Sequence, residues 1–241
     1  MQPIAKDIVE ALAVVERQRV QWRRDPELVA RVSALKTYQA RRFERTYADL
    51  LVSSRYQYAA RFFLEELYGP QDFRARDAQF ARVVPSLVRL FRGEIIGTVA
   101  VLAALHALSE TLDTAMARLL PSAAVDASAY RHAWRSCGLV EARKRQIELT
   151  IEIGQALDRY TRSALIRGAL RLMRGPADAA GLGELQRFLE RGFDAFKHMR
   201  GAEPFLAVVR KRESELAAQL FSSDDVSKAP VEKVGLDTTA V

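Results

Sequence analysis

IIGTVAVLAALHALSETLDTAMARLL, residues 95–120, is the stretch that decides the fold. Its first 14 positions, Ile95 to Leu108, are interrupted only by Gly97, Thr98 and His106. A helix needs about 18–20 apolar residues to span a bilayer, so this run falls short and reads as a buried core helix. Pro121 ends it.

The segments on either side carry helical periodicity. Before it, Ile4, Ile8, Leu12, Val15 and Trp22 recur at three- and four-residue steps from about Pro3. Asp25-Pro26 supplies an N-cap and a first-position proline for a second helix. That helix carries Leu28, Val32, Leu35, Tyr38, Tyr47 and Leu50. Ser53 and Ser54 break the pattern, and Ser54 with Gln57 has capping-box spacing. An aromatic-rich helix then runs from Arg55 to Tyr68 and stops at Gly69-Pro70. Asp72 caps the next, which reaches Phe91 with a kink or split expected at Pro85.

After Pro121, Asp126 caps a helix to Cys137, and Gly138 stops it. Residues 139–162 form a charged amphipathic helix that continues or re-caps at Ser163 and reaches Met173. Arg174-Gly175-Pro176 is expected to close it. Residues 185–199 and 203–221 are the last two helices. From Ser222 onward Ser, Asp, Lys, Pro and Thr dominate, which predicts a disordered tail. The expected architecture is all-α: a single domain over residues 1–221, a bundle of about seven to nine helices, with a tail over 222–241.

Net charge is +7, with a pI near 9.7. The tail holds two lysines against four acids, so it carries −2 and the body +9. Such a body attracts polyanions, but arginines interleaved with acids along every helix read as a solvated mixed-charge surface. Cys137 is the only cysteine, which excludes an internal disulfide. The stretch from Met1 to Asp7 lacks the basic-then-apolar layout of a signal peptide, so a cytoplasmic setting is expected.

Catalytic signatures are missing. There is no phosphate-binding loop and no nucleophile elbow. Gly181-Leu182-Gly183 begins like a dinucleotide fingerprint, but Gln186 stands where the third glycine belongs. A di-iron bundle needs Glu-x-x-His, yet Ala103, Ala129 and Ala195 precede His106, His132 and His198 by three positions. His106, Glu110 and Asp113 share a helix face, and His106 reads as a core histidine satisfied by a neighbour. No local feature singles out a haem ligand. Cys137 sits at a helix C-terminus, where the dipole disfavours a thiolate. No cofactor and no metal are expected. The stretch Tyr38 to Tyr47 mixes aromatic and basic residues as single-strand binders do, but its tyrosines fall on the apolar stripe.

Residues 62–70, Phe-Phe-Leu-Glu-Glu-Leu-Tyr-Gly-Pro, resemble the bacterial FFLEELY-motif family. The resemblance continues through Asp72-Phe73, Arg76-Asp77, Leu172 to Pro176, Gly181-Leu182 and Phe188 to Glu190. It implies a bacterial, cytosolic, helical protein and carries no activity and no catalytic residue. It does direct attention to Glu65, Glu66, Tyr68, Asp77 and Arg174 as binding candidates. The two Gly-Pro corners are expected to meet, with Arg174 closing a polar network with Glu65, Glu66 and Asp77.

The leading functional expectation is a non-enzymatic helical protein-interaction or regulatory module, with a protein or a second copy as partner. A ligand-binding protein or enzyme with an apolar pocket lined by Phe62, Phe63, Tyr68, Phe73 and Phe193 is the first alternative. Nucleic-acid binding through the basic body is the second. No membrane contact is expected.

Overall fold

The computed structural model describes residues 3–67, 74–90 and 93–222. Among these the elements are eleven α-helices and one π-helical turn. The helices are α1 (Pro3–Arg23), α2 (Pro26–Thr46), α3 (Ala48–Val52), α4 (Gln57–Phe62), α5 (Arg74–Leu90), α6 (Glu94–Leu119), α7 (Ala127–Cys137), α8 (Val140–Thr161), α9 (Ala164–Ala179), α10 (Gly183–His198) and α11 (Glu203–Phe221), with the π turn at Phe63–Leu67. The expected tail, Tyr68 to Phe73 with its Gly-Pro stop, and Phe91 lie outside the described residues.

Several caps follow the sequence. The Asp25 carboxylate accepts from the amides of Glu27 and Leu28. Asp126 accepts from Ala129, and Gly138 ends α7 in the left-handed region at φ 60°. Ser163 caps α9 by accepting from Ile166, so residues 139–173 form two helices rather than one.

The helix count exceeds the expected seven to nine for identifiable reasons. Tyr47 leaves helical geometry at φ −119°, splitting α2 from α3, and its fully buried phenol donates to Glu213 on α11. Ser53, rather than Ser54, accepts the entering Tyr56 amide. α5 passes position 85 without a break. α9 likewise passes through Arg174-Gly175-Pro176 to Ala179. Pro176 removes the one hydrogen bond to the Leu172 carbonyl. That loss is cheap because residue 172 is 78% exposed and water can reach it. Ala180 and Leu182 donate to the Pro176 and Ala177 carbonyls and finish the turn.

The core has three parts. Phe62 and Phe63 pack with Phe196, Phe205, Leu206 and Ile151. Leu35, Met116, Trp134 and Leu220 join α2, α6, α7 and α11. Ile8, Val84, Ile96 and Ala103 join α1, α5 and α6. α6 is 26 residues long and, by length and composition alone, apolar enough to cross a membrane. In the fold it packs against α1, α2, α7 and α8. Trp22 donates to Thr114, and Arg118 to Gln21, which sets α1 alongside α6 in the same direction as the Arg19–Glu110 pair.

Candidate functional site

A chain of charged groups runs through the middle of the helical assembly. On α1, Arg19 is only 6% exposed. Its guanidinium donates to Asp77 Oδ2 on α5 at 2.7 Å and to Glu110 Oε1 on α6 at 3.3 Å. Lys36 of α2 donates to the same Glu110 oxygen at 2.9 Å. His106, one turn before Glu110, places Nε2 2.9 Å from Asp77 Oδ2. Gln39 of α2 donates to Asp113 Oδ1 at 3.0 Å. The second Glu110 oxygen is buried without a hydrogen-bond partner.

The chain continues outward. Arg76 reaches Glu66 at 3.3 Å and Asp77 at 3.7 Å. Arg191 of α10 bridges Glu66, at 2.6 Å, and Glu65. Thus α1, α2, α5, α6, α10 and the π turn are tied by one ionic string. Burial alone pushes the Asp77 carboxyl up, but His106 and Arg19 outweigh it and hold it below the ordinary range. Asp113 goes the other way: burial, reinforced by the Glu110 charge, raises it against the pull of Lys36 and Gln39. Burial also lowers Arg76, against its acidic neighbours.

Of the candidates read from sequence, Glu65, Glu66 and Asp77 belong to this string. Arg174 does not, so it does not close the expected polar network with them, and the Tyr68-Gly69-Pro70 corner lies outside the described residues. Arg174 pairs with Glu190 of α10 through two hydrogen bonds of 3.0 and 2.9 Å at the surface. The reason is that α9 continues past Pro176, so Arg174 stays on a helix flank and never enters a corner. Tyr68 lies outside the described residues. The partners of these three carboxylates are Arg19, Arg76, Arg191 and His106, while Lys36 pairs with Glu110 beside them. Of these, His106 was legible as one face with Glu110 and Asp113, and Arg76 only as part of the Arg76-Asp77 stretch of the resemblance. Arg19, Lys36 and Arg191 carried no signal, because nothing local separates them from the other cations.

A buried guanidinium held by carboxylates from two other helices fixes helix register, and its desolvation offsets much of its attraction. The Asp77–His106 pair has the chemistry of a proton relay, but Arg19 sits on the same Asp77 oxygen. Among the described residues no group of three or more His, Cys, Asp and Glu side chains could hold a metal ion. An open cleft of about 800 Å³ lies elsewhere, between Ser54, Arg55, Asp194, Lys197, His198 and Arg200. Arg200 there is the one non-glycine with positive φ among the described residues, at 53°. Arg55 donates to the carbonyls of Met199 and Gly201, holding that turn.

Of the aromatic candidates, Phe62, Phe63 and Phe193 are core, and Tyr68 and Phe73 lie outside the described residues. Phe62, Phe63 and Phe193 are buried, and Phe62 packs at a tilt against Phe188 while Phe63 meets Phe196 and Phe205. Tyr38 stacks on Tyr130 at 4.6 Å. Burial raises the Cys137 thiol.

α9 differs from α10, its equal in length, of which six residues are buried. In α9 only Ala177 is buried. Leu165, Leu172 and Met173 are 82%, 78% and 50% exposed. At 100° per residue, Leu165, Gly168, Ala169, Leu172, Gly175 and Pro176 fall on one outward arc free of charge. A Cβ added at Gly168 or Gly175 would meet nothing within 4 Å. Arg167, Arg171 and Arg174 lie together on the polar side.

No curated protein and no solved structure shows a significant match to the chain. Residues 18–227 match the family described as "Domain of unknown function (DUF8198)", a span that takes in the ionic string and α9 alike, and the chain belongs to that family.

Proposed function

We propose that the protein is a non-enzymatic helical interaction module that docks through the outward face of α9, in the bacterial cytosol that the 62–70 resemblance implies. The observation that carries this reading is the pair Leu165 and Leu172, each more than three-quarters exposed on an uncharged helical arc. Large apolar side chains in such an arrangement mark contact surfaces. The ionic string serves this role by holding the scaffold rigid beneath the docking helix, since Arg191 ties α10, on which α9 packs, to the π turn.

The test compares wild type with Leu165→Glu/Leu172→Glu for every form of association: self-association by light scattering, capture from cell extract, and binding to lipid vesicles. The reading expects one association to be lost in the variant. An identical profile for both proteins sinks it.

A further inference from the structure

The chemistry of α9 narrows its partner. We propose that α9 is an interfacial helix that lies on an anionic lipid bilayer, an inference that rests on α9 being the docking surface. Residues 162–179 hold four arginines against one aspartate. Leucines and small residues point outward, and Arg167, Arg171 and Arg174 lie together along one side of them, with Arg174 also bonded to Glu190 and Arg162 to Asp158. This is the layout of a helix lying in the headgroup plane, with its apolar face in the acyl boundary and its cations at lipid phosphates. Such a helix needs no spanning-length apolar run, which is why the stretch at 95–108 says nothing about it.

A second copy fits less well. Sixteen residues make a helix about 24 Å long. An arc about 10 Å wide then offers roughly 240 Å², against about 800 Å² per partner in a standard interface. An antiparallel pairing would also lay the arginine flank against itself. A protein groove would need knobs to fill the gaps that Gly168 and Gly175 leave between Leu165 and Leu172. Fluid hydrocarbon fills them without a matching shape.

The experiment is co-sedimentation of the full chain with vesicles of phosphatidylcholine alone or mixed with phosphatidylglycerol. Wild type is expected to sediment with the mixed vesicles, less with the neutral ones, and less as salt rises. Leu165→Glu/Leu172→Glu is expected to weaken binding at least about tenfold. Gly168→Leu adds an apolar group to open space and is expected to strengthen binding roughly tenfold, whereas it would disrupt a close-packed protein interface. Wild type left in the supernatant with mixed vesicles, equal binding to neutral ones, or weakened binding by Gly168→Leu each overturn the proposal. If wild type ignores vesicles but the double glutamate variant abolishes a dimer or a protein complex, the bilayer is wrong and the docking reading stands. If the variant alters no association, both fail.

Discussion

Arg19 and Arg174 are both arginines bonded to carboxylates, and they are expected to behave differently. Arg19→Ala takes one buried cation from Asp77 and Glu110, which keep His106, Arg76 and Lys36, and is expected to cost about 1.5–3 kcal/mol. Arg174→Ala removes a surface pair and is expected to leave the melting temperature unchanged. A double-mutant cycle should couple Arg19 with Asp77 by roughly 0.5–3 kcal/mol and find Asp77 and Arg174 additive. Denaturant titration of the variants checks both. The two buried aspartates have opposite pH signatures. Asp77 is held below its ordinary value, so its contribution is present above about pH 4 and lost as pH falls through its lowered value. Asp113 is raised, so its contribution is full below about pH 4 and lost as pH rises through its raised value. Asp113→Asn is therefore expected to stabilise by about 1 kcal/mol at pH 7, with the gain shrinking toward pH 4 in thermal melts.

Among the elements, glycines at Gly154 and Gly168 look alike in sequence, each inside an amphipathic helix. On α8, a Cβ at Gly154 would collide with Leu206 of α11. On α9, one at Gly168 meets open space. Gly168→Ala is expected to stabilise by about 1 kcal/mol through helix propensity. Gly154→Ala is expected to destabilise despite the same gain, because the buried Leu206 side chain must shift within a packed core. Calorimetry of the pair checks this. Element starts were largely legible because caps are local: Asp25, Asp126 and Ser163 each act within three residues. The breaks at Tyr47 and the passage through Pro176 were not, since burial of Tyr47 against α11 and solvent exposure of α9 decide them.

For the molecule as a whole, a helix as exposed as α9 contributes little to the core. Leu165→Glu/Leu172→Glu is expected to keep the wild-type helical content by circular dichroism and a melting temperature within about 2 °C, while losing association. A large drop in melting temperature would mean that α9 is core after all.

The sequence by itself determined the all-helical class, the central helix at 95–120, most caps, and the charged face of His106, Glu110 and Asp113. These follow from periodicities and hydrogen bonds that act within a few residues. Only the tertiary structure decided that Arg19 and Lys36 meet Glu110, that Arg191 meets Glu65 and Glu66, and that the apolar arc of α9 faces outward. An amphipathic pattern states that a helix has an apolar face. Which neighbour covers that face, or whether any does, depends on residues far away in the chain.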